Sequence, residues 1–303
     1  MYYNEDMIYT ITTNPSLDYY MTFKEELSEK NYYRSILEVF DAGGKGVNVS
    51  ISLSNLGMSS SALGFLGGFT RERYLESIKQ FREIQPLFTT IKDCTRINVK
   101  IMTNEETSLN AKGPTITNEE FDKFKSRLSK VYDSDIVVLS GNIQEELKER
   151  IINVVKELIT NGTKVILDTS EDVVEKCLQY KPFLVRIDDR KASNDENSIV
   201  SYAKELISKG ALNVAYSSGT NMNYYFVTSN EVLKASRDEE LPIIIGLNDS
   251  FVAGIVYGIV RGANSKEIFQ LGVASSIKLN LSYLDGEKVP IMNFFEEIDV
   301  TTL

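Results

Sequence analysis

Hydrophobic and polar positions fall into two rhythms along this chain. The run Met7–Thr13 is apolar and β-branched and predicts a first strand. Val47, Val49, Ile51, Leu53 and Leu56 follow the glycines of 43–46 and stop at Gly57, which predicts a helix ended by glycine. Strand-like and helix-like segments then alternate. Strands are expected at Ala62–Leu66, Ile136–Leu139, Lys164–Asp168, Phe183–Ile187 and Asn213–Tyr216, with a hairpin at Tyr224–Val227 and Val232–Ala235. Helices are expected at Glu72–Glu83, Asn118–Tyr132, Glu145–Thr160, Asp172–Gln179, Ser198–Lys209, Ser250–Arg261 and Lys266–Leu281. Short buried strands between helices predict an α/β protein whose mainly parallel sheet carries helices on both faces. Asn31–Phe40 and Arg96–Thr103 break this pattern, because apolar and polar residues alternate along them. They predict a small β lid beside the main sheet. No repeat, low-complexity stretch or Pro/Gly/Ser-rich linker interrupts the chain. One domain over 1–303 is therefore expected, with lid strands inserted at about 15–41 and 95–110.

The chain has no histidine, and that narrows its chemistry sharply. Ser-His-Asp and Cys-His nucleophile systems and imidazole metal sites are excluded. A general base near neutral pH must be Asp, Glu, Lys, Tyr or Cys. The formal net charge of −10 argues against a nucleic-acid surface, which needs a basic stripe. No window approaches the roughly eighteen unbroken apolar residues of a membrane span. The first residues lack a basic segment followed by an apolar block, so no signal peptide is expected. Cys94 and Cys177 form no CxxC, which fits a reducing compartment, and a cytoplasmic location is the expectation.

Two segments carry candidate chemistry. Asp41-Ala-Gly-Gly-Lys-Gly-Val-Asn48 places glycines at a strand-to-helix junction, where unpaired N–H groups face outward. Lys45 adds a full positive charge and Asn48 a donor and acceptor; the alternative is a glycine turn with a solvent-facing lysine. Gly246-Leu-Asn-Asp-Ser-Phe-Val-Ala-Gly254 opens a long apolar helical pattern. Asp249 there is either an N-cap or a carboxylate base beside amides that face a transferring phosphoryl group. Asp18, after the first strand, either clamps substrate hydroxyls or ends a turn. Arg96 and Lys100 share one face of their strand and either meet a phosphate or decorate a solvated surface.

In order along the chain stand Asn14-Pro-x-x-Asp18, the 41–48 glycine segment, Gly64-Phe-Leu-Gly-Gly-Phe-Thr70, Thr95-Arg-Ile-Asn-Val-Lys-Ile101, Asp168-Thr-Ser170 and Asp249-Ser-Phe-Val-Ala-Gly254. Together they resemble the phosphofructokinase B branch of the ribokinase-like superfamily, nearest to the 1-phosphofructokinases and tagatose-6-phosphate kinases. The resemblance covers essentially the whole chain and implies a three-layer αβα sandwich. It implies ATP-dependent phosphorylation of a ketohexose phosphate, either fructose 1-phosphate or tagatose 6-phosphate. Asp18, Gly43, Gly44, Asn48 and Asn110 would then hold the sugar. Arg34, Lys45, Arg96 and Lys100 would be candidates for its phosphate. Asp249 would be the base, and the amides of Gly246, Leu247, Asn248 and Asp249 the anion hole. ATP with Mg²⁺ would lie near Arg186, Asp188, Ser217, Gly219 and Gly246, and the metal ligands are left open.

The departures cluster on the nucleotide side. The family's Gly-Ala-Gly-Asp reads Gly246-Leu-Asn-Asp249, with Asn248 expected to preserve a left-handed turn. A magnesium-network Glu is replaced by Lys191, with Asp188 or Asp189 as substitutes, and Met222 stands for a glycine. The alternative function is accordingly a sugar-phosphate-binding regulatory protein with weak or no kinase activity. Open lid edges further predict a homodimer that pairs lid to lid.

Overall fold

Residues 8 to 12 are buried without exception, as a strand covered on both faces must be. A computed structural model describes residues 7–28, 32–104, 106–188, 195–218, 223–236, 246–285, 295–296 and 298–303. In chain order it begins β1 (Ile8–Thr12), β2 (Ser16–Thr22), β3 (Leu37–Gly43), α1 (Lys45–Asn55), β4 (Ser60–Gly67) and α2 (Thr70–Ile78). Next come β5 (Ile84–Pro86), β6 (Thr89–Ile91), β7 (Arg96–Met102), β8 (Glu106–Leu109) and α3 (Asn118–Leu128). Then follow β9 (Ile136–Ser140), α4 (Lys148–Thr160), β10 (Lys164–Asp168), α5 (Glu171–Leu178), β11 (Leu184–Ile187) and α6 (Glu196–Lys209). The last are β12 (Val214–Ser217), β13 (Asn223–Val227), β14 (Val232–Ser236), α7 (Leu247–Val260), α8 (Ser265–Asp285) and β15 (Thr301–Thr302).

The main sheet runs β15-β14-β13-β12-β11-β10-β9-β1-β4-β5, with β6 also on β4. Pairing is parallel from β5 to β12 and antiparallel beyond, where the β13–β14 hairpin finishes the sheet. Alternate residues of each strand feed two cores. Tyr9, Val137, Val165 and Val185 pack with α3 to α6 on one face. Ile8, Ile136, Ile166 and Leu184 pack with α1, α7 and α8 on the other. The three-layer αβα sandwich is thus what the alternation predicts. On α4, Ile151, Ile152, Val154, Val155 and Leu158 are buried, each worth roughly 1.5–3 kcal/mol against exposure. Among the described residues no helix is long and apolar enough to cross a membrane.

A second, mixed sheet has the order β3-β2-β7-β8. Of the boundaries that differ from those expected, two matter for the site. The strand expected at 31–40 begins only at Leu37 and runs to Gly43, because the unpredicted β2 pairs with it in antiparallel register, Asp18 opposite Asp41. The helix expected from Ser250 begins at Leu247, capped by Gly246 at φ 93°, a left-handed conformation that favours glycine. Asn248 is therefore helical, and the expected left-handed turn falls on Gly246 instead.

Candidate active site

The chain crosses from the main sheet to the small one at Thr13–Pro15, and the crossing leaves a cleft of about 230 Å³ at the C-terminal end of β1. Asp18 enters it from β2, Arg96 and Asn98 from β7, Gly44, Lys45 and Asn48 from α1, and Gly141 and Asn142 from the end of β9. Open α/β sheets bind ligands at this end of their strands. The Asp18 carboxylate is fixed there, with Oδ1 accepting from Ser16 Oγ at 2.7 Å and from Asn98 Nδ2 at 2.9 Å. A methyl group on Gly43 would overlap that carboxylate. Gly43→Ala is therefore expected to displace the Asp18 carboxylate and to raise about tenfold or more the KM of any substrate that Asp18 holds in the cleft, while leaving the fold intact. Steady-state kinetics beside a thermal melt checks this; an unchanged KM would show that Asp18 does not touch substrate.

Asp249 comes to the same region from the far end of the chain. It sits in the first turn of α7, only 4% exposed, and Asn48 Nδ2 donates to its Oδ2 at 2.8 Å. No side chain caps this helix, so Asp249 is not an N-cap. Its Oδ1 is buried without a hydrogen-bond partner. Burial raises its pKa to about 6, against the opposing pull of Lys45 and of the Asn48 hydrogen bond, and with Asp168 adding to the rise. A carboxylate so held is ionised at neutral pH and still basic enough to take a proton from a hydroxyl.

A buried polar chain continues from Lys45 towards the start of α7. Lys45 Nζ lies 3.6 Å from Asp168 Oδ2. Arg186, 1% exposed on β11, donates through one terminal nitrogen to Asp168 at 3.1 Å and to Asp188 at 3.2 Å. Its other nitrogens reach Ser217 Oγ at 3.2 and 3.3 Å, and Ser217 Oγ donates to Asn248 Oδ1 at 2.8 Å. Arg186 was expected to contact nucleotide; buried and with every nitrogen engaged, it is a bridge beneath the site. Leu247 is also buried, so its bulk is turned away from solvent at the helix start. A second cleft of about 350 Å³ shares Lys45, Gly141 and Asn142 with the first and adds Asp168, Thr169, Ser170 and Asp188.

Several expected residues stand apart. Arg34 is exposed between β2 and β3, and Asn110 is exposed after β8; neither lines the cleft. Lys100 donates to Ser108 Oγ at 2.7 Å and lies 3.5 Å from Glu106, which occupies its charge. Arg96 lines the cleft, yet two of its nitrogens donate to the carbonyls of Ala111 and Asn14, tying the small sheet to the β1–β2 crossing. Gly219, Asp189, Lys191 and Met222 lie outside the described residues. The sequence reading gave no role to Asn98, Ser16 or Asn142. Asn98 was findable, since it lies between Arg96 and Lys100 at even spacing and so shares their face; Asn142 carried no local signal.

Residues 13–282 match the model of the pfkB family carbohydrate kinases. A 1-phosphofructokinase of Borreliella burgdorferi is 35% identical over 89% of this chain and 90% of its own. One of Bacillus subtilis is 33% identical over 98% of this chain and 100% of its own. The crystal structure of phosphofructokinase-2 from Escherichia coli, at 21% identity, shares the fold with a TM-score of 0.86 over 96% of this chain and 99% of that one. The chain is thus an enzyme of the pfkB carbohydrate kinase family, a phosphotransferase.

Proposed function

We propose that the protein phosphorylates a ketohexose phosphate at the expense of ATP, giving a bisphosphate, with Asp249 as general base. The observation that carries this is the Asn48–Asp249 hydrogen bond, which ties Asp249 to a residue that lines the cleft and lies 201 positions earlier. The names of similar proteins support the substrate class: 1-phosphofructokinase, D-tagatose-1-phosphate kinase and tagatose-6-phosphate kinase. In this reading Asp18 and Asn98 hold sugar hydroxyls, and Lys45 with Arg96 faces the phosphate already on the substrate. The acceptor hydroxyl lies against Asp249 Oδ1. Its oxygen forms a bond to the γ-phosphorus as the bond from that phosphorus to the ADP oxygen breaks, and its proton passes to Asp249. The N–H groups of Leu247, Asn248 and Asp249, which have no intrahelical partner in the first turn of α7, steady the charge on the transferring group.

Magnesium fits the residues present. Asp168 Oδ2 has no hydrogen-bond partner, and Asp188 lines the same cleft. Magnesium takes one or two protein carboxylates and completes its shell with water and nucleotide phosphates. Neutralising the nucleotide's phosphate charge is what such an ion supplies when bound.

The small sheet acts as a lid that closes over the sugar and excludes water, which limits ATP hydrolysis. Its edge strand β3 exposes Leu37 and Val39 on one face, a surface that suits a second copy of the chain. Light scattering at micromolar concentration is expected to give a dimer, and Leu37→Lys with Val39→Lys a monomer; a monomeric wild type would reject the pairing.

The test of function is ADP release from Mg-ATP across the 1-phosphates and 6-phosphates of fructose and tagatose. One of them should turn over, and both that sugar phosphate and Mg-ATP should raise the melting temperature. No turnover with any of them would reject the proposal.

A further inference from the structure

The hydrogen bonds around Ser217 fix more than a bridge. An arginine only donates, so Ser217 Oγ accepts twice from Arg186 and has one proton left to give. That proton goes to Asn248 Oδ1 at 2.8 Å, which settles which end of the Asn248 carboxamide faces Ser217. Its Nδ2 is then turned the other way, with no partner among the described residues. Asn248 is half-buried in the first turn of α7, beside the N–H groups that have no intrahelical partner and one residue from Asp249.

We propose that the Asn248 side-chain amide is an additional donor to the transferring phosphoryl group, and that Ser217, held by Arg186, is the positioning residue that aims it. This rests on the kinase reading above. Phosphoryl transfer spreads negative charge over the three equatorial oxygens, and a donor fixed beforehand needs no reorganisation as that charge develops. The buried arginine thereby gains a function. It holds the serine hydroxyl in the one orientation that frees the amide.

Kinetics with the responding sugar phosphate tests the idea. Asn248→Ala should lower kcat about 10- to 100-fold, with KM for the sugar phosphate within about twofold of wild type. Asn248→Asp keeps the acceptor for Ser217 but sets a carboxylate against the phosphoryl group, so its kcat should fall further than that of Asn248→Ala. Ser217→Ala should lower kcat about tenfold, Ser217→Thr should restore it, and Ser217→Ala should add little on top of Asn248→Ala. Melting curves establish that each variant is folded. An active wild type with Asn248→Ala and Asn248→Asp at undiminished kcat overturns this inference alone. A wild type that turns over no ketohexose phosphate overturns it together with the proposed function.

Discussion

Asp249→Asn is expected to reduce kcat about 1,000-fold and at the same time to make the protein more stable at about pH 8. The two effects share one cause. Burial lifts the Asp249 pKa from 3.8 to about 6, so the folded chain holds that proton more tightly than the unfolded chain does. The resulting stabilisation is complete below the unfolded value and is lost as pH rises through about 6. At higher pH the ionised group costs on the order of 3 kcal/mol of stability, because the carboxylate is buried where its charge is poorly solvated. Asparagine removes the charge and can still accept from Asn48 Nδ2 through its own carbonyl. Melting temperature against pH should therefore show the variant above wild type by several degrees at about pH 8, with the gap closing towards about pH 4. A variant that loses activity because it is misfolded would show the opposite order.

Replacing Arg186 has the largest expected effect on stability. Its guanidinium lies between Asp168 and Asp188 with almost no contact with solvent. Arg186→Met would leave those two carboxylates facing each other without their shared cation, and Ser217 without its donor. Breaking a buried ion pair by removing one partner typically costs about 3–5 kcal/mol, far more than the pair contributes over a well-packed apolar substitute. Urea unfolding at neutral pH should show a loss of that size. A loss under about 1 kcal/mol would mean that solvent reaches the pair and that Arg186 is no bridge.

The sandwich was legible because its strands are short, apolar and separated by helices, and because their side chains alternate between two covered faces. β2 was not. Ser16–Thr22 starts buried on β1's side and ends half-buried in the small sheet, so neither rhythm governs it. What fixes it is pairing with β3 and β7, contacts that no local window contains. The same limit applies to the site. Asp249 was visible as a carboxylate at a helix start, but that Gly246 holds the N-cap position and that Asn48, 201 residues earlier, donates to the carboxylate are set by the fold. Arg96, Lys100 and Arg186 were visible as cations. Whether a cation faces a ligand or is already paired depends on partners brought in by the fold: Glu106 occupies Lys100 and two carboxylates occupy Arg186, whereas Arg96 gives two nitrogens to the carbonyls of Asn14 and Ala111 and still lines the cleft.

The decisive measurement is a crystal structure of the Asp249→Asn protein with the sugar phosphate it recognises. A single hexose should span the cleft. One of its hydroxyls should lie within about 3.2 Å of residue 249, others should bond Asp18, and its phosphate should sit beside Lys45 or Arg96. A sugar held at Asp18 with every free hydroxyl beyond hydrogen-bond reach of residue 249 would contradict the assignment of that carboxylate as the base.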